Sequence, residues 1–152
     1  MRARSVLLAA AVALLSLSPS FATAAGHSLF KGGFLSQGEK GSGTLITRQF
    51  DVSGFDRIAL DGGFDVYVTV GDATDVSVTV DDNLAELFTA EVEQGTLHLD
   101  WRKTCRPSRK SHVDVTLPEL AGFTVNGAGD VEITGVRGER LALRINGAGD
   151  MK

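Results

Sequence analysis

The chain lacks the usual signatures of catalysis. It contains no Gly-x-Ser-x-Gly, no His-Glu-x-x-His, no Cys-x-x-Cys and no glycine loop ending in Lys-Ser/Thr. The Gly-Ala-Gly steps at 127–129 and 147–149 lack the helix that a dinucleotide site requires. No catalytic residue and no cofactor is therefore expected. Cysteine is nearly absent as well. The single Cys105 excludes an intramolecular disulfide, and no cysteine near the N-terminus offers a lipoprotein anchor. Arg102, Lys103 and Arg106 beside it would lower its pKa; the plainer expectation is an incidental loop thiol. Beyond the first residues there is no long apolar run, so no later segment reads as transmembrane.

The N-terminus reads as an export signal. Arg2 and Arg4 precede the apolar run Val6–Leu15, which is too short for a ~30 Å hydrocarbon core, and Ala22-Thr23-Ala24 supplies a small-residue cleavage site. Residues 1–24 are assigned to the signal peptide, and the protein to the periplasm, the outer surface or the medium. Removing Arg2 and Arg4 leaves 13 of the 15 Lys+Arg against 19 Asp+Glu, a formal charge of −6. A general nucleic-acid binder would need a basic footprint instead. The 128 residues that remain (152 less 24) suffice for one domain. Residues 26–43 hold six glycines in 18 positions without periodicity, so 25–43 is expected to be a flexible leader and 44–152 the folded domain.

From Thr44 the apolar residues recur every second position. Phe64, Val66, Val68 and Val70 face Asp65, Tyr67 and Thr69; Val76, Val78 and Val80 face Asp75, Ser77 and Thr79; Leu97, Leu99 and Trp101 face His98 and Asp100; Val113, Val115 and Leu117 face His112, Asp114 and Thr116. That alternation predicts half-buried strands and an all-β fold. Trp101 is expected in the core by its phase. Only Asp82–Phe88 suggests a helical turn, with Asp81 or Asp82 as its N-cap.

The pentapeptide Asn-Gly-Ala-Gly-Asp occurs at Asn126–Asp130 and again 20 residues later at Asn146–Asp150. A period near 20 with a turn at constant phase predicts stacked coils of a parallel β-helix-like solenoid, antiparallel hairpins remaining open for the N-terminal half. Asn126, Gly127, Gly129, Asp130 and Asn146, Gly147, Gly149, Asp150 are read as structural turns, because Asn, Asp and Gly tolerate left-handed backbone and the four glycines also let neighbouring backbones approach closely. Stacking would set Asn126 beneath Asn146 as an amide ladder and Asp130 near Asp150, with solvent, turn amides or a cation absorbing the repulsion. The calcium nonapeptide pattern does not fit, since Asp130 directly follows Gly129. A degenerate copy, Asp61-Gly62-Gly63-Phe64-Asp65-Val66, lies 65 residues before Asn126, a distance read as about three coils plus an insertion at Arg102–Ser111.

Two further constellations stand out. His98-x-Asp100 and His112-x-Asp114 would form a weak metal ligand set if their strands paired; the plainer reading is a solvated face with cross-strand pairs. Arg102, Lys103, Arg106, Arg109 and Lys110 concentrate positive charge in an acidic chain, with Pro107 keeping the segment irregular. This is either a solvated loop or an anion-binding loop for surface glycan or lipid head groups.

Taken in order, Arg48-Gln49-Phe50-Asp51-Val52-Ser53-Gly54-Phe55-Asp56, Gly63-Phe64-Asp65-Val66 with Gly71-Asp72, Asp81-Asp82-Asn83-Leu84, Leu117-Pro118-Glu119-Leu120 and Asn126-Gly127-Ala128-Gly129-Asp130-Val131 resemble the bacterial GIN domain family of auto-transporter adhesins, from about Thr44 onward. The resemblance implies an envelope or surface protein with a right-handed β-helix-like fold and brings no catalytic residues. The family's domains run through more coils, so this chain, stopping two residues after the second pentapeptide, is expected to be incomplete. The expected function is a non-catalytic surface interaction module, with glycan, lipid head groups or another envelope protein as partner. The alternative is a glycan-active hydrolase or lyase on a β-helix scaffold. N-terminal sequencing of the native protein is expected to begin at Ala25 or Gly26; a start at Met1 in a cytosolic fraction would overturn the export assignment.

Overall fold

The computed structural model describes residues 38–138 and 140–152. The segment expected to be an export signal and most of the expected glycine-rich leader lie outside the described residues. Among the described residues twelve strands form: β1 (Glu39–Lys40), β2 (Leu45–Phe50), β3 (Arg57–Gly62), β4 (Asp65–Val70), β5 (Asp75–Asp81), β6 (Phe88–Glu93), β7 (Thr96–Trp101), β8 (Cys105–Arg106), β9 (His112–Leu117), β10 (Gly122–Gly127), β11 (Val131–Thr134) and β12 (Ala142–Ile145). The expected helical turn is a single 3-10 turn, Ala85–Leu87.

Two five-stranded sheets share one core, in the orders β12-β10-β3-β7-β6 and β11-β4-β9-β5-β2. In the first, β12, β10, β3 and β7 are mutually parallel and β6 is antiparallel to β7. In the second, β11, β4 and β9 are parallel, while β5 and β2 are antiparallel. The fold is thus all-β with mixed sheets. A strand of the first sheet, a corner and a strand of the second make one rung: β3–β4, β7–β9 and β10–β11. Antiparallel strands close the stack on the β7–β9 side.

The period-two pattern becomes stacked rows. Val125, Leu60, Leu99 and Ala90 align across the first sheet, and Val131, Val66, Val113 and Val78 across the second; all are buried. Each such Val or Leu side chain taken fully from water contributes about 1.5–3 kcal/mol. At the corner, Phe64 meets Phe88 and Trp101 edge-on, at centroid distances of 5.2 and 6.3 Å. Trp101 packs on the core as its phase predicts, though only partly buried.

Chain order and spatial order differ. Asp61 and Asn126 are direct neighbours in the register, not three rungs apart. Between them the chain leaves β4, builds β5 and β6 at the capped end, and lays the β7–β9 rung on the other side of β3–β4. Residues 102–111 enlarge the corner of that rung, where the other rungs turn within a few residues.

Two further expectations change. Residues 39–43, expected in the flexible leader, belong to the fold: β1 pairs in parallel with β8, and the next residues dock on the end of β5. Asp81 does not cap the 3-10 turn. Its buried carboxylate accepts hydrogen bonds from the Gly43 amide at 2.7 Å, the Ser108 amide at 2.8 Å and the Ser108 hydroxyl. Gly41 lies so close that a Cβ there would collide with this carboxylate. Glycine in the leader therefore serves a close approach to Asp81. Burial pushes the Asp81 pKa up, but the Ser108 and Gly43 bonds outweigh it, and the carboxyl titrates below its ordinary value.

Asp81→Ala should lower unfolding free energy by about 1.5–3 kcal/mol in urea titration, since it removes the charged acceptor of the Gly43 and Ser108 hydrogen bonds. A folded-state pKa below the unfolded value stabilises above the unfolded pKa, roughly 4, and that contribution fades as pH falls through the folded pKa. Stability curves of native and substituted protein are therefore expected to converge below about pH 4.

Candidate functional site

The corner joining the two sheets gathers most of the polar residues singled out in the sequence. Asn126 Nδ2 donates to Asp61 Oδ1 at 3.0 Å, and Asn146 Nδ2 donates to Asn126 Oδ1 at 2.9 Å. The amide ladder forms, with Asp61 as its first member. A second column runs beside it: the Asp130 amide donates to Asp65 Oδ1 at 3.1 Å and the Asp150 amide to Asp130 Oδ1 at 3.3 Å. Turn amides thus absorb the like-charge contact, and Lys110 completes the neutralisation, with Nζ 3.2 Å from Asp130 and 3.3 Å from Asp65. The amide of Asp150 and the Lys110 ammonium hold Asp130 below the usual carboxylate range, and the bonds to Asp130 and Asp65 raise Lys110.

Glycine is required here by proximity. A Cβ on Gly127 would stand well under 3.0 Å from the Gly62 carbonyl, and one on Gly129 would meet the Phe64 carbonyl; Gly147 and Gly149 stand in the same relation to Gly127 and Gly129. These residues act as structural turns through backbone contact between rungs. None of the four has the left-handed φ expected of them.

The basic loop spans the corner between β7 and β9. Its middle is tied down by the β1–β8 pairing and by Ser108 on Asp81. Arg102, Lys103, Arg106 and Arg109 are exposed and make no salt bridge among the described residues, whereas Lys110 is engaged. Between loop and corner lies an open hollow of about 380 Å³ lined by Asp61, Asp100, Trp101, Lys103, Cys105 and Pro107 among others. Cys105 is half-buried; burial and the nearby Glu39 carboxylate raise its pKa, outweighing Lys103, so the lowering expected from its basic neighbours does not occur.

The two His-x-Asp units do not meet. His98 and Asp100 lie on β7 in the first sheet, and His112 and Asp114 on β9 in the second. His98 stands opposite Ala59 and Glu91, His112 opposite Asp65 and Thr79. Consecutive rung halves belong to different sheets, so similar strands separated by a corner cannot pair. Among the described residues no three His, Cys, Asp or Glu side chains come together to hold a metal ion. His112 instead contacts its own Asp114 at 3.6 Å and Tyr67 edge-on.

Residues 54–152 match the family described as putative auto-transporter adhesin, head GIN domain. The chain belongs to the GIN domain family. Solved structures share the GIN fold. A putative adhesin from Bacteroides fragilis NCTC 9343 superposes with a TM-score of 0.70 at 30% identity, over 76% of this chain and 55% of that one. A putative adhesin from Parabacteroides merdae ATCC 43184 gives 0.64 at 19%, over 70% and 45%. A putative lipid binding protein from Parabacteroides distasonis ATCC 8503 gives 0.61 at 24%, over 74% and 53%. The last two likenesses concern the fold alone. This GIN chain spans about half the length of the structures it matches. No functionally curated protein is similar to it.

Sequence reasoning missed Lys110 as the counter-ion of the aspartate column, and Asp81 with Ser108 as the loop's anchor. Aligning Asp65 with Asp130 locates the column, but no local signal brings Lys110 to it. The glycine contacts give a direct test. Gly127→Ala should lower the urea midpoint by an amount equivalent to about 1–3 kcal/mol, because the collision is with backbone. Gly71→Ala, whose Cβ would meet only Thr116 at an ordinary 3.9 Å, is expected to stay within about 0.5 kcal/mol.

Proposed function

We propose that this GIN domain is an exported, non-catalytic envelope-surface module that engages anionic head groups through the loop at 102–110. The observation that carries this reading is a division among the cations. Lys110 is spent bracing Asp65 and Asp130, while Arg102, Lys103, Arg106 and Arg109 stand exposed on a loop anchored at both β8 and Ser108. An anchored loop loses less conformational freedom on binding, so more of the attraction appears as affinity. The aspartate column favours binding over glycan hydrolysis, since Lys110 and turn amides already engage its carboxylates. The parallel rungs are read in the same way as coils of a right-handed β-helix-like solenoid with antiparallel strands at one end, a shape that presents corner loops in a row.

Cosedimentation with vesicles containing phosphatidylglycerol tests the reading. Binding is expected at 0.1 M salt and should be lost toward 1 M, as the Debye length shrinks from ~10 to ~3 Å. Replacing Arg102, Lys103, Arg106 and Arg109 by Ser, with Lys110 kept, should abolish binding and leave the circular dichroism spectrum unchanged. Equal binding by the substituted protein would make the loop a solvated connector, and binding only to anionic glycan would transfer the site to that polymer.

A further inference from the structure

Two aspartate pairs stand at the corner, and their charge is balanced differently. Asp65 and Asp130 have turn amides and the Lys110 ammonium as partners. Asp61 and Asp100 are direct register partners on β3 and β7, one strand spacing apart. Asp61 Oδ1 accepts from Asn126 Nδ2 at 3.0 Å, and Asp100 Oδ1 accepts from the Trp101 amide at 2.6 Å. Among the described residues their other oxygens take no protein donor, and neither carboxylate forms a salt bridge. Each carboxylate is held by one oxygen and presents the other. Both have their register neighbours in place, Asn126 beyond Asp61 and Thr89 beyond Asp100, so the pair lies within the sheet and not at its end.

The pair lines the open hollow of about 380 Å³ beneath the basic loop, together with Trp101, Lys103 and Thr104. Trp101 is fixed edge-on to Phe64 and Phe88, at centroid distances of 6.3 and 5.3 Å, and stays partly exposed. Gly62 borders it: a Cβ there would stand 3.2 Å from the indole Cδ1, so a side chain would crowd that edge of the ring. Of the aromatic rings, indole attracts a cation best. Carboxylates and indole together favour a cation on the strand side of the hollow. Lys103, on the loop side, makes no salt bridge among the described residues and favours an anion. The hollow is therefore complementary to a small zwitterion.

We propose that it binds the phosphoethanolamine head group of phosphatidylethanolamine. The ammonium donates to the free oxygens of Asp61 and Asp100 beside the Trp101 ring, and the phosphate, two carbons away, accepts from Lys103. A primary ammonium carries three N–H donors for the paired carboxylates, and such charge-assisted bonds are the strong ones. The trimethylammonium of choline carries none. The proposal deepens the head-group reading of the loop and shares Lys103 with it: the loop attracts the surface, and the hollow selects among its head groups.

Trp101 is the single tryptophan of the chain, so its fluorescence reports on the hollow. Titrating the whole chain with glycerophosphoethanolamine at low salt is expected to give a saturable change with a midpoint of about 1 mM or lower, the range open to a ligand of so few atoms. Glycerophosphocholine should give none. Asp100→Asn keeps an acceptor for the Trp101 amide but removes one charge, and should weaken the response about tenfold or more. Its cosedimentation with phosphatidylglycerol vesicles should be unchanged. No saturable response, an equal response to the choline compound or to ethanolamine alone, or full affinity in Asp100→Asn would overturn the proposal. A response confined to the monoester O-phosphoethanolamine would overturn the lipid as its source. A native chain that fails to cosediment with phosphatidylglycerol yet keeps the fluorescence response would strike the reading of the loop and leave the hollow assigned.

Discussion

The contact between rungs at the corner governs this molecule. Backbone approaches backbone so closely at Gly127, Gly129, Gly147 and Gly149 that side chains are excluded, and the Asn and Asp residues beside them bond from rung to rung. A strand can slip by two residues and still bury its valines. A ladder of unique polar partners cannot. The corner therefore sets the register that the period-two core leaves open, and Phe64 packs against Phe88 and Trp101 only because the chain turns at Gly62 and Gly63.

The two ends of the stack are managed differently. On the β7–β9 side, β6, β5 and β2 run antiparallel and finish the sheets, while Asp81 gathers the Gly43 and Ser108 amides over the end of β5. A buried carboxylate is tolerated there because two amides and the Ser108 hydroxyl donate to it. On the β12 side the strand is exposed along its whole length. Sheet edges of this kind usually carry charges that discourage pairing. Here Arg144 faces outward, and the inward positions are Leu143 and Ile145.

Much of the fold was legible. Alternation located β4, β5, β7 and β9, and the pentapeptides located equivalent corners. Legibility failed where long-range placement decides. The 65 residues between Asp61 and Asn126 looked like successive rungs because spacing carries no information about which side of β3 a later strand joins. The His-x-Asp units looked adjacent because their strands have similar patterns, yet the enlarged corner sends one to each sheet. The glycines at 38, 41 and 43 resembled a flexible leader, since composition does not distinguish glycine that permits motion from glycine that permits contact. Lys110 was visible only as one charge among five. Its partners come from 45 residues earlier and 20 residues later.

The permuted order of the rungs bears on how the chain assembles. Strands β3 and β4 are made early, yet they occupy the middle of the stack. Their partners β7 and β9 pair with them across 39 and 47 residues, as Arg57 with Thr96 and Asp65 with His112, and β10 pairs across 65. Contacts of such separation cost loop-closure entropy before they return stabilisation, which slows folding. A chain emerging from its N-terminus thus holds two unpaired central strands until residues 96–134 have followed.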